Sequence, residues 1–169
     1  MDELLLTNFV KRKLYIAVPT ILIAALIAGF FGLFNHFPSA AIKAIANDSG
    51  LIFYSIDPSE RPTTIPRAAL FHEWPILGQT VLNRSQDRET VTDSLRRAAR
   101  GAWDMAACFN PRHGIRATDS TGTYDVLLCF ECGQAAIYYP DGQTKWIPIH
   151  GSSDTLNQLL TAAHVPIAQ

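Results

Sequence analysis

All three cysteines of this 169-residue chain lie between residues 108 and 132, together with one of its five histidines. Three thiols and an imidazole can hold zinc tetrahedrally, because thiolates and neutral imidazole are preferred zinc ligands. The later part of the pattern is a standard CxxC, whereas the earlier part, CxxxxH, is an uncommon ligand spacing. One interpretation is therefore a zinc site whose ligands are Cys108, His113, Cys129 and Cys132.

Disulfide bonding is a second interpretation of the same cysteines. Thiols in an oxidising compartment tend to pair, but three cysteines cannot all pair within one chain. Cys129 and Cys132 fall on opposite sides of an ideal strand, so a bridge between them needs a turn at residues 131–133, which Gly133 permits. Cys108 can pair with either of them, so the pairing stays open.

Thiol catalysis is a third interpretation. His113 would activate one cysteine, and Asp125 or Glu131 would orient the imidazole. However, the CxxC follows a predicted strand instead of opening a helix, where the helix dipole would lower a thiol pKa. An enzyme and a binding or structural module both fit these residue types.

Two arginines flank the histidine of this stretch. Arg112 and Arg116 are four residues apart and point the same way if the segment is extended, so they can form an anion-binding notch. The alternative is that each arginine forms a salt bridge with Asp125 or Glu131.

Six segments are predicted as strands, from their period-two alternation and their β-branched or aromatic content. These segments are residues 51–56, 74–82, 114–118, 124–130, 135–139 and 144–149. Gly78 in the second segment marks a bulge or the close approach of another part of the chain. Helical periodicity predicts one helix that begins near Asp87 and another that begins at Ser152 or Ser153.

Short connections between the later strands favour an antiparallel meander. Two amphipathic helices need an apolar surface, so the predicted fold is α+β, with a small antiparallel sheet and two helices packed on one face. In segment 124–130, Tyr124, Val126 and Leu128 should face the helices, which leaves Asp125 on the opposite face.

An uncharged apolar run precedes this domain. Residues 14–34 would form a helix about 30 Å long, which matches the hydrocarbon core of a bilayer. Signal-peptide apolar regions are usually shorter, so a retained anchor is favoured over a cleaved leader. Lys11, Arg12 and Lys13 precede the run and predict a cytoplasmic amino terminus. The predicted organisation is a cytoplasmic segment at 1–13, a transmembrane helix at 14–34, a stalk at 35–50 and an extracytoplasmic domain at 51–169.

The net charge of −1 gives no electrostatic basis for nucleic-acid binding. The expected partners are the lipid bilayer and another envelope protein. In a bacterium, this topology places a single-pass protein in the inner membrane with its carboxy-terminal domain in the periplasm.

Three motifs resemble those of an uncharacterised family of small bacterial envelope proteins. They are CFNPRHGIR at 108–116, CFEC at 129–132 and FHEWPILGQT at 71–80. The resemblance covers most of residues 51–165 and implies an envelope location without implying a reaction. The function expected from the sequence is an anchored binding or structural module with a Cys/His cluster. The alternative is a zinc-binding or thiol-based enzyme, or a metal carrier.

Overall fold

Seven antiparallel strands form the framework of residues 36–59 and 66–168, which the computed structural model describes. The strands are β1 (Ile52–Ile56), β2 (Leu70–Phe71), β3 (Trp74–Val81), β4 (His113–Asp119), β5 (Gly122–Cys129), β6 (Gln134–Tyr138) and β7 (Thr144–Pro148). Their order across the sheet is β2-β3-β1-β4-β5-β6-β7. From β4 to β7 each strand pairs with the next one along the chain, which is the predicted meander.

Three helices share a hydrophobic core with one face of this sheet. They are α1 (Ser39–Asn47), α2 (Ser85–Ala99) and α3 (Asp154–Ala162). Tyr124, Val126 and Leu128 of β5 belong to this core together with Leu95 of α2. The alternation along β5 therefore puts every second side chain beneath the helices, and the predicted inward set is confirmed.

The opposite face of the sheet carries a smaller apolar cluster. Its buried members are Tyr54, Ile56, Phe71, Trp74, Leu127 and Ala136. Phe71 belongs to the edge strand β2, yet a Cβ atom on Gly114 of β4 would lie 2.8 Å from the Phe71 ring. Because β3 and β1 separate these two strands in the sheet, the sheet must curl until its edge lies over its centre. This curl creates the concave surface on which the candidate site lies.

The α+β class and the antiparallel sheet are confirmed, and so is the irregularity at Gly78. Ser55 pairs with Gly78 and Ile56 pairs with Ile76, so Leu77 is an extra residue in β3. A Cβ atom on Gly78 would also lie 2.9 Å from the Val165 side chain. A bulge and a close approach therefore coincide at this glycine.

The prediction of two helices is wrong, because α1 is a third helix packed in the core. Ala41, Ala44 and Ile45 of α1 are at most 1% exposed. Residues 35–50 form an alanine-rich segment that was expected to act as a stalk. Within this segment, the small side chains of α1 allow close packing against the rest of the domain. The short strand β2 and the 3-10 turn Arg67–Ala69 were also not predicted.

The predicted cytoplasmic segment and membrane span, residues 1–34, lie outside the described residues. Within residues 36–59 and 66–168, no helix has the length and hydrophobicity needed to cross a bilayer.

Candidate functional site

A cavity of about 460 Å³ opens on the sheet face that lies opposite the helices. It is lined by His72, Arg116, Thr123, Asp125, Tyr138, Tyr139 and Gly142. Arg116 of β4 pairs in register with Asp125 of β5, and Asp125 pairs in register with Tyr138 of β6. Three neighbouring strands therefore place these side chains in one row across the sheet.

His72 joins this row from the β2–β3 hairpin. Phe71 pairs with Trp74, so His72 and Glu73 form a two-residue turn, in which His72 has φ 57°. Glycine is the usual residue at a positive φ in such turns, because a Cβ atom is disfavoured there. The imidazole stacks on the Tyr138 ring with centroids 3.8 Å apart, and its Nε2–H donates to Asp125 at 3.0 Å. The unfavourable backbone conformation of His72 is thus held by side-chain contacts within the cavity.

Asp125 is the acceptor at the centre of the site, and its side chain is only 10% exposed. Arg116 donates through Nε and Nη2 to the two carboxylate oxygens, at 2.8 and 2.7 Å. Burial alone would raise the pKa of Asp125, but the hydrogen bonds from Arg116 and His72 outweigh burial and lower this pKa. The guanidinium also lies over the Phe71 ring, 5.2 Å from its centroid.

The side chains around Asp125 are arranged to bind a ligand and not to transfer a proton. Both oxygens of Asp125 already accept hydrogen bonds, and its lowered pKa makes it a weak proton acceptor. The charges of Arg116 and Asp125 largely cancel, so the cavity presents fixed polar groups and an aromatic ring without a strong net field. Fixed polar groups in a partly apolar cavity determine ligand orientation.

The three cysteines lie together at one end of β5, and all three are free thiols. The backbone N–H of Cys132 donates to Cys129 Sγ at 3.1 Å. The Cys108 thiol lies within hydrogen-bonding reach of Cys132. This contact raises the pKa of Cys108, while burial raises the pKa of Cys132. Raised thiol pKa values oppose the thiolate form that nucleophilic catalysis requires.

His113 lies away from the thiols, beneath the helices. Its ring stacks with Phe53, meets Phe130 edge-on, and donates from Nε2 to Asn157 at 2.8 Å. Burial lowers the pKa of His113 to about 4. Cys129 lies on the opposite face of the sheet, because it is one residue beyond Leu128, the register partner of His113. Within the described ranges, no group of three or more His, Cys, Asp or Glu side chains is arranged to hold a metal ion.

The two arginines of the predicted anion notch line separate cavities. Arg112 pairs with Glu131 at 2.9 Å and borders a cavity of about 150 Å³ that also contacts His113 and Asn157. Arg116 lines the larger cavity and pairs with Asp125. These are the two salt bridges that were predicted as the alternative to an anion-binding notch.

Sequence reasoning missed His72 and Tyr138 as members of one site. Nothing in the sequence FHEW indicates that His72 adopts a positive φ. The row of Arg116, Asp125 and Tyr138 depends on strand register, which an isolated sequence does not give. The alternation of side chains along a strand was the one signal available, and it correctly placed Asp125 on the face opposite the helices.

A third cavity, of about 600 Å³, lies between α1 and α2. Its floor is largely apolar, and its rim carries three cations, Lys43, Arg96 and Arg100. Arg96 is partly neutralised by Asp93, 3.0 Å away. His36 and Phe37, close to the start of the described residues, line the same cavity.

No protein-family model, curated protein or solved structure matches the chain. The resemblance to the envelope family therefore stays a prediction that rests on the three motifs. Each motif contributes a residue to the sheet face opposite the helices: His72 comes from FHEWPILGQT, Arg116 from CFNPRHGIR, and Cys129 from CFEC.

Proposed function

We propose that this chain is a single-pass inner-membrane protein whose periplasmic domain is a binding module. The sequence supports the anchor through the basic residues 11–13 and the uncharged run at 14–34. A retained span of this length makes the lipid bilayer the first partner of the protein.

The binding surface that we propose is the cavity lined by His72, Arg116, Asp125 and Tyr138. One observation carries this proposal: a histidine occupies a turn position that favours glycine, and its imidazole is fixed against Asp125 and Tyr138. Unfavourable backbone conformations of non-glycine residues cluster at functional sites, where surrounding contacts maintain them. In this module the row of polar side chains orients a polar group of another envelope component.

The structure also offers a matched variant for testing this role. Glycine adopts a positive φ without a Cβ penalty, so His72→Gly should keep the hairpin while removing the imidazole. A loss of binding in this variant would then report the side chain and not the fold. An unchanged or higher melting temperature would verify that the domain is intact.

Photocrosslinking in cells tests the proposal. A benzoylphenylalanine at exposed Thr123, on the rim of the cavity, should give a discrete crosslinked species that disappears in the His72→Gly background. The same probe at exposed Glu89 of α2 serves as the control. Equal crosslinking at both positions, or no effect of His72→Gly, would reject the cavity as the binding surface.

Membrane topology needs a separate test. A reporter that is active only after export should be active when it is fused after residue 169. Activity of a reporter that works only in the cytoplasm, fused at the same place, would reject the periplasmic location. Cleavage near Ala41 would reject the anchor while leaving export in place.

A further inference from the structure

Cys132 lies between two other sulfurs and beside a passing segment of backbone. Its own N–H donates to Cys129 Sγ at 3.1 Å. The N–H of Ala106 donates to the Cys132 carbonyl at 3.0 Å. Residues 106–108 therefore lie against the turn that holds Cys132, and this places the Cys108 thiol beside the Cys132 thiol.

A side-chain clamp strengthens this placement. The Gln134 side-chain amide donates to the carbonyls of both Ala106 and Cys108. Gln134 is buried in the first position of β6 and pairs in register with Cys129. The position of Cys108 is thus set by backbone and amide hydrogen bonds that do not depend on sulfur chemistry.

Exposure distinguishes the two possible partners of Cys132. Cys129 and Cys132 are each 1% exposed, whereas Cys108 is exposed to solvent. An external disulfide can therefore reach Cys108 first, and Cys132 is the thiol placed to complete the exchange. A bridge between Cys129 and Cys132 would require the oxidant to reach a buried sulfur.

We infer that Cys108 and Cys132 form a disulfide when the domain meets an oxidising thiol buffer, and that Cys129 stays a buried thiol. This inference goes beyond the proposed function and does not depend on the His72 cavity. The disulfide would fasten residues 101–112 to the turn between β5 and β6. That segment carries Phe109, whose ring meets both Trp74 and Trp146 edge-on.

Oxidised glutathione is the oxidant in this reaction, which proceeds by two thiol–disulfide exchange steps. The Cys108 thiolate attacks one glutathione sulfur, forming a mixed disulfide and releasing one glutathione thiolate. The Cys132 thiolate then attacks Cys108 Sγ and releases the second glutathione. Two S–H bonds of the protein are lost and one S–S bond forms. The two protons and two electrons leave with two molecules of reduced glutathione.

Peptide mapping of the full chain tests the pairing directly. The reduced protein is incubated with oxidised glutathione, its remaining thiols are alkylated, and it is digested with trypsin and a glutamate-specific protease. Cleavage after Arg112 and Glu131 places each cysteine on a separate peptide. The expected result is one cross-linked pair that joins the Cys108 and Cys132 peptides, with Cys129 alkylated only after unfolding.

Three variants sharpen the test. Cys129→Ala should form the same disulfide, whereas Cys132→Ala and Cys108→Ala should each form none. Oxidation should raise the melting temperature of the parent and of Cys129→Ala by roughly 10 °C, because closing this loop restricts the unfolded chain.

A bridge from Cys129 to either partner would overturn the inference. So would three thiols that resist oxidation while holding about one zinc ion per chain. Neither result would bear on crosslinking at Thr123, so the two proposals fail separately.

Discussion

Arg116 and Asp125 face each other directly across β4 and β5 and form a two-pronged ion pair, with N–O distances of 2.8 and 2.7 Å. Such a pair fixes the orientation of both side chains, because two parallel hydrogen bonds leave little rotational freedom. The carboxylate of Asp125 therefore has a defined position in which it accepts the hydrogen bond from His72. The register of two strands thus determines the geometry of the cavity.

Replacing Asp125 with asparagine should reduce stability at neutral pH by roughly 1–3 kcal/mol, because a charged hydrogen-bond acceptor for two donors is lost. The lowered pKa of Asp125 gives the effect a pH dependence. The stabilisation is fully present above the ordinary carboxyl pKa of 3.8 and is lost as pH falls through the lower folded value. Chemical denaturation at pH 7 and below pH 3 should show the parent and Asp125→Asn converging in acid.

Glu131→Gln provides the matched control for this prediction. Glu131 also pairs with an arginine, Arg112, but its side chain is 63% exposed. Exposed ion pairs contribute little, so the change should cost less than about 1 kcal/mol. If the difference in the free energy of unfolding between the parent and Asp125→Asn did not change with pH, the assigned role of the carboxylate would be contradicted.

His113 should make stability depend on pH in a different window. Its pKa is lowered to about 4 from 6.5 because burial disfavours the charged ring, and its Nδ1 has no hydrogen-bond partner among the described residues. Between pH 6.5 and 4 the unfolded chain gains a proton that the folded chain excludes, so stability should fall on acidification. The loss should be on the order of 3 kcal/mol at most.

His113→Gln tests this window, because glutamine can still donate to Asn157 but does not titrate. The variant should be less stable at pH 7 and should lose less stability than the parent between pH 7 and 4.5. If the stability of both proteins fell equally between pH 7 and 4.5, the prediction would be contradicted. A lower melting temperature alone would not indicate a metal ligand, because the ring is 1% exposed and packs against Phe53.

The sequence predicted those features of the fold that depend on local periodicity. Alternation placed Leu128 beneath the helices and Asp125 on the opposite face, and both placements are confirmed. Features that depend on long-range packing were missed. The apolar side chains of α1 are recognisable as core only once the sheet is assembled, and the curl that brings Phe71 over Gly114 is a property of all seven strands.

The candidate site shows the same limit. Spacing grouped His113 with the cysteines, but strand alternation places its ring on the helix-covered face and Cys129 on the other. Conversely, His72 is more than fifty positions from Asp125 in sequence and meets it through the hairpin and the curled sheet. Contacts of this kind require the register, which no single motif specifies.

Leu128→Ala should destabilise the domain by about 2–5 kcal/mol, because it removes a fully buried side chain and leaves a cavity. Val81→Ala, in β3 of the same sheet, is the control, because Val81 is 53% exposed. The control should change stability by less than about 0.5 kcal/mol. Urea denaturation of both variants measures the difference, and similar midpoints would show that β5 is not central to the core.

Gly114→Ala should disturb the candidate site without touching any of its polar groups. The added Cβ atom would lie 2.8 Å from the Phe71 ring and 3.3 Å from the Tyr54 side chain. Phe71 is 1% exposed and immediately precedes His72, so moving its ring also moves the hairpin that presents the imidazole. The overpacking should cost about 1–3 kcal/mol, and crosslinking from Thr123 should fall with it.

Gly50→Ala is the matched control for Gly114→Ala. A Cβ atom at Gly50 would meet only Asp48, at 3.4 Å, which is an ordinary contact. This change should be close to neutral, or stabilising by up to about 1 kcal/mol through its effect on the unfolded chain. If Gly114→Ala melted like Gly50→Ala and still crosslinked from Thr123, the close packing of Phe71 on β4 would not be what positions His72.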